Sequence, residues 1–106
     1  MTKKINLMKY AVYYLSKFSS SKANLERILK NKIRRLQVEK EDKYLLYNSI
    51  NNIIERLEKN NFINDSDYTS SKIKSFIFQG KSKLFIKGYF LQKGIDKNII
   101  TKILEE

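Results

Sequence analysis

Residues 57–68 read L-E-K-N-N-F-I-N-D-S-D-Y, and this stretch decides the fold. It closes one helical pattern and opens another. Asn60 and Asn61 belong to the residue type that, after Gly, best tolerates the left-handed turn ending a helix. Asn64, Asp65 and Ser66 are N-cap types for the next helix. Between the two signals lie Phe62 and Ile63, and an apolar pair in so short a linker is expected to tuck between the helices it joins. The halves should then pack together rather than swing.

Working outward, each side reads as three short helices. Upstream, Leu7, Ala11, Tyr14, Leu15 and Phe18 form one stripe of a helix over about Ile5–Phe18. Ser19–Ser21 stop it and cap a second helix, about Lys22–Leu36, whose stripe is Leu25, Ile28, Leu29, Ile33 and Leu36. Gln37–Lys43 is polar and aperiodic. A third helix, about Asp42–Lys59, repeats Leu46, Ile50, Ile53, Ile54 and Leu57, with Tyr47 alongside.

Downstream, a helix over about Ser66–Gln79 offers Ile73, Phe76 and Ile77, with Tyr68 or Thr69 a turn earlier. Gly80 ends it. The next starts near Ser82, carries Ile86, Tyr89 and Phe90 with Phe85 nearby, and stops at Gly94. Asp96 caps a last helix holding Ile99, Ile100, Ile103 and Leu104. Ser21 superposed on Ser82 puts Leu25 on Ile86, Leu29 on Phe90 and Lys32 on Lys93. In the third helices Ile50 falls on Ile99 and Ile54 on Ile103. Three short helices bury little alone, so stacked units sharing a core are expected. The fold class is all-α: two tandem three-helix, helix-turn-helix-like repeats, 1–61 and 62–106, forming an elongated, curved molecule.

Composition narrows the chemistry. The 106 residues hold no Pro, Cys or His and three Gly, which argues against a turn-rich β protein and removes disulfides, thiolate nucleophiles, zinc fingers and His-based catalysis. Absence of Cys fits a cytoplasmic protein. No apolar run is long enough to span a membrane. The N-terminal M-T-K-K-I-N-L-M-K-Y-A-V-Y-Y-L has a basic start, but Asn6 and Lys9 interrupt its apolar part and no small-x-small site follows, so it is not read as a secretory signal.

The formal net charge is +11, and from Lys72 to Lys93 there are six lysines and no acidic residue. Such an excess points to a polyanion, an acidic protein surface or an anionic membrane. Lys72 and Lys74 lie on the fourth helix. Lys83 and Lys87 share one face of the fifth, with Lys81 before it and Lys93 near its end. Opposite the apolar stripes, these are expected to form one exposed basic strip. Lys30, Lys32, Arg34 and Arg35 make a second cluster. Of the tyrosines, Tyr13 is expected to be the most exposed. The membrane reading is the weakest, because no apolar stripe looks spare.

Other motifs are read as structural. Gly80-Lys81-Ser82 imitates the end of a phosphate-binding loop, but that loop needs Gly where Ser75 stands and a preceding strand, so it is read as a helix stop and restart. Asp65 is read as a cap, and Asp67, Glu105 and Glu106 as solvated. No cofactor, metal or catalytic residue is expected.

The runs Y-A-V-Y-Y-L-S at 10–16, S-K-A-N-L at 21–25, I-I-E-R-L-E-K-N-N-F-I-N-D-S-D-Y at 53–68, G-K-S-K-L-F-I-K at 80–87 and Q-K-G-I at 92–95 resemble, in order and spacing, the RecX family of RecA regulators. The resemblance covers nearly the whole chain, although each motif alone is only a helix-and-turn pattern. Asn24, Asp67, Leu84, Phe85 and Tyr89 depart from the family pattern, and the third three-helix unit of most members is not in this sequence, which is read as either a naturally short member or a fragment. The resemblance implies a non-enzymatic monomer that binds the RecA filament on single-stranded DNA and restrains strand exchange, ATP hydrolysis and filament growth. The alternative is a plain DNA-binding protein with the fifth helix as reader. That helix offers lysines and Gln92 but no Arg or Asn for bidentate base contacts.

Overall fold

The computed structural model describes residues 6–105 and contains six helices: α1 (Leu7–Lys17), α2 (Lys22–Arg34), α3 (Lys40–Lys59), α4 (Asp65–Phe78), α5 (Lys83–Gln92) and α6 (Lys97–Glu105). No strand occurs among the described residues. The expected helix start at Ile5, the first residues of the signal-like segment and Glu106 lie outside them.

Local chemistry sets the boundaries. Asn6, Ser21, Asn64 and Ser82 each sit in extended backbone, and their side-chain oxygens accept the N–H of Lys9, Asn24, Asp67 and Phe85 at 3.0–3.1 Å. Each bond satisfies one of the orphan donors of a helix start. α3 begins at Lys40, earlier than the periodicity predicts, with Glu41 and Asp42 inside its first turn where negative charge suits the helix dipole.

Three helices end alike. Asn61, Gly80 and Gly94 take the left-handed conformation at φ +59°, +78° and +80°. The next residue's N–H then reaches back to Leu57, Phe76 and Phe90 carbonyls at 2.9–3.0 Å. In the first of these turns the N–H that reaches back belongs to Phe62, and its ring stays outside, 55% exposed. Only Ile63 of the expected apolar pair is buried, at 3% exposure.

The buried residues fall into two clusters. Leu7, Ala11, Leu25, Leu29, Ile33, Ile50, Ile53, Leu57 and Ile63 form the first; Ile73, Ile86, Phe90, Ile95 and Ile100 form the second. The first thus extends two residues past the expected boundary at 61/62. The repeat holds at Leu25/Ile86 and Leu29/Phe90, which are buried pairs. In the third helices the buried partner of Ile50 is Ile100, one residue beyond the sequence match to Ile99. Phe18 and Ile77, expected in the core, are 56% and 61% exposed, each at the last turn of its helix or just beyond it.

Every well-packed helix pair lies within one unit: α1 on α2 and α2 on α3, then α4 on α5, α4 on α6 and α5 on α6. The molecule measures 53 × 24 × 23 Å with a radius of gyration of 16.1 Å, against about 13 Å for a compact chain of this length.

The junction between units is therefore made by helix ends. Asp65, itself buried, accepts the backbone N–H of Lys22 at 2.8 Å, so the first residue of α4 caps α2. Ser21 Oγ donates to the Lys93 carbonyl at 3.2 Å. Gly94 lies so close to α2 that a Cβ there would stand 2.5 Å from Ala23 Cβ. Lys22 Nζ pairs with Glu58 at 2.9 Å, and that hydrogen-bonded partner raises its pKa against the opposing effect of burial. The expectation that Asp65 caps its own helix is replaced by this cross-unit bond.

Candidate nucleic-acid interface

The second unit is built on rings. Phe76 meets Tyr89 edge-to-face at 4.8 Å and Phe85 at 5.5 Å, and Tyr89 meets Phe90 at 5.2 Å. Tyr68 packs edge-to-face on Phe90, with ring centroids 6.2 Å apart. Burial pushes the Tyr68 phenol up to about 12, and Tyr89 adds to the rise. Tyr89 is thus fixed by α4 from behind. Phe85, one turn earlier on α5, lies nearly parallel to it, with ring centroids 6.4 Å apart and planes at 24°. Phe85 is 45% exposed and Tyr89 partly so.

Three lysines from three segments converge on this pair. Lys72 of α4 and Lys93 after α5 lie over the Tyr89 ring at 6.0 and 5.5 Å, and Lys81 of the α4–α5 turn lies over Phe85 at 5.0 Å. At exposed sites each ammonium–ring attraction is worth only about 0.5–1 kcal/mol. The ammonium groups are therefore held near the rings but are readily released.

The single basic strip expected from sequence does not form. Lys83 and Lys87 stand two residues from Phe85 and Tyr89, which is about 200° around a helix. They share a flank of α5 with Leu84 and Leu91, and Lys87 lines a small hollow with Leu91, Lys97, Ile100 and Thr101. Lys74 lies on the outer side of α4, one turn before Phe78. Phe78, Leu84 and Leu91 are 93%, 83% and 53% exposed, so the expectation of no spare apolar groups is also corrected. Gly80-Lys81-Ser82 is the helix stop and restart that the sequence suggested.

In the first unit the predicted cluster divides. Lys30 is paired with Glu26 at 3.0 Å. Lys32 sits over the Tyr10 ring at 4.9 Å. Arg34 donates to the Asn31 amide oxygen at 3.0 Å, and Arg35 is the exposed C-cap of α2. Lys43, which sequence reasoning missed, donates to the Arg34 carbonyl at 3.1 Å. The signal was present, since the last carbonyls of α2 need donors and a lysine at the start of the next helix can supply one. Lys17 over Tyr13 at 5.0 Å was missed likewise. Tyr13 is 57% exposed as expected, but Tyr44 exceeds it at 67%.

Acidic side chains gather elsewhere. The cleft at the unit junction, about 820 Å³, is lined by Glu26, Glu55, Glu58, Asp65 and Asp96, with Lys22 as the cation among its lining residues. No group of acidic residues with metal-holding geometry occurs among the described residues. No helix among them is long and apolar enough to cross a membrane.

Comparison of the chain with protein-family models, curated proteins and solved structures gives no match.

Proposed function

We propose that this chain is a RecX-like regulator that binds the RecA filament on single-stranded DNA and restrains its activity. The observation that carries the reading is the elongated two-unit body, 53 Å long, with separate cationic clusters on each unit. One is the α2–α3 end, where Lys32, Arg34, Arg35, Lys40 and Lys43 outnumber Glu39, Glu41 and Asp42; the other is the α4–α5 group with Lys72, Lys81 and Lys93. Two cationic sites on a rod whose two units are joined by fixed contacts suit bridging along a polymer better than gripping one short site. Bridging opposes the relative movement of neighbouring subunits that exchange and hydrolysis require. The sequence resemblance to the RecX family points the same way, and the net charge of +11 favours a polyanionic assembly.

The test is the single-stranded-DNA-dependent ATPase of the cognate RecA with this protein titrated in. Inhibition at concentrations well below those that coat bare DNA is the expected result. Inhibition only once the DNA is saturated refutes the recombinase contact and leaves the plain DNA-binding reading. No inhibition at any concentration refutes both forms of RecA restraint.

A further inference from the structure

We infer that Phe85 and Tyr89 form a stacking platform for two unpaired bases, and that Lys72, Lys81 and Lys93 take the flanking phosphates. This deepens the proposed function and rests on its nucleic-acid half. It also separates the lysines, since Lys83 and Lys87, on the other flank of α5, are left out of the strand contact.

Four observations carry it. The two rings face nearly the same way, so neighbouring bases of one strand can meet both. Tyr89 is held from behind by Phe76 and Phe90, both edge-to-face with it, so its orientation is set before any ligand arrives. The three ammonium groups come from α4, the α4–α5 turn and the end of α5, and so surround the rings. No acidic residue lies in the sequence between Lys72 and Lys93 to neutralise them. A ring face with cations around it is the chemistry that single-stranded nucleic acid recognises, because every base has a π-face and every linkage a negative charge. In duplex DNA the bases are already stacked and the rings gain nothing. When a base arrives it displaces the weakly held ammonium groups, and flexible lysine stems bring them to the phosphates.

The experiment uses the full chain with Phe85→Trp, a change at an exposed rim position that introduces the only indole, since the chain has no Trp. A thymidine 20-mer is titrated in without recombinase. The expected results are quenching of the indole, no quenching with a duplex of the same length, and about a hundredfold weaker binding of an abasic strand of equal charge, about tenfold for each lost stack. Replacing Lys72, Lys81 and Lys93 by Gln in the otherwise natural chain should flatten the salt dependence by about 2, at about 0.7 per single-strand phosphate. Lys83→Gln with Lys87→Gln should leave oligonucleotide affinity within twofold. Equal binding of abasic and thymidine strands overturns the platform, as does oligonucleotide binding without quenching. So does the absence of oligonucleotide binding. Phe85→Ala guards against a perturbing indole, and it should lose about tenfold in affinity while circular dichroism stays unchanged. If the platform fails while RecA ATPase is still inhibited, the filament reading stands without it. If the platform binds and ATPase is untouched, the filament reading fails alone.

Discussion

Gly94→Ala tests how tightly the two units close on each other. At φ +80° any Cβ strains the backbone by about 1–2 kcal/mol. Here the new Cβ also meets Ala23 Cβ at 2.5 Å, an overlap that must move α2 against the end of α5. Overpacking of this kind costs about 1–3 kcal/mol, so the total is about 2–5 kcal/mol. Gly80 supplies the control, with φ +78° and nothing within 4 Å of its Cβ position. Gly80→Ala should therefore lose only the backbone part, about 1–2 kcal/mol. The assay is urea unfolding followed by circular dichroism. A loss of about 3 kcal/mol at a slope of about 1.5 kcal/mol per molar moves the midpoint by about 2 M. Ala23→Gly in the Gly94→Ala background removes the overlap and should restore most of the difference between the two glycine variants. Equal destabilisation by Gly94→Ala and Gly80→Ala would refute the contact, as would a double-mutant cycle that adds within about 0.5 kcal/mol.

Asp65→Ala should destabilise by about 1–2 kcal/mol in urea unfolding, because it uncaps α2 across the junction, whereas Asp67→Ala, an exposed first-turn residue, should cost under about 0.5 kcal/mol. Thr69 is fully buried and its hydroxyl has no hydrogen-bond partner, so Thr69→Val should raise stability by about 1 kcal/mol, read as a higher urea midpoint. Alkaline pH should weaken the fold through Tyr68, whose phenol rises from 10.0 to about 12 on folding. Between those values the unfolded chain has released the proton and the folded chain has kept it, so stability present below pH 10 is lost as the pH climbs through 12. Two pKa units set a ceiling of about 2.7 kcal/mol, and solvent at this partly exposed group lowers the expected loss to about 1 kcal/mol. Tyr68→Phe should flatten that part of a stability-versus-pH curve.

The sequence resolved the features that depend on period and on end chemistry. Leu25, Leu29, Ile33 and Ile50 are buried where the 3.6-residue stripe puts them, and Ser21, Asn64 and Ser82 cap where their side chains fit. It misled where one residue served two ends. Asp65 has the composition of a local cap, yet Asn64 caps α4 and leaves Asp65 for α2, a partner 43 positions away. Phe62 reads as core but is 55% exposed, whereas Ile95, at the same place in the matching turn, is buried. The basic strip failed for a simple reason: counting lysines along a segment says nothing of which flank of α5 each takes. The convergence on Tyr89 was invisible for the same reason, since it needs the crossing of α4 and α5 and not only the period of each.

Charge placement then gives the rod a direction. In a chain of net charge +11, five of the eleven acidic residues line the junction cleft, and none lies between Lys72 and Lys93, so the second unit's ring-bearing face keeps its positive excess. At physiological salt, screening acts over about 8 Å, so a phosphate strand senses the cleft and the lysine faces as separate patches of opposite sign. On the proposed platform, a strand seated on Tyr89 would be drawn to Lys72, Lys81 and Lys93 and turned away from the carboxylates between the units. Under that proposal the junction cleft would suit a partner with positive or neutral groups, and the nucleic acid would keep to the lysine-bearing faces. The proposed filament-bridging role needs strand contact and protein contact on the same rod at once, which simple coating of DNA does not, and the separation of the carboxylate cleft from the lysines around Tyr89 supports that reading.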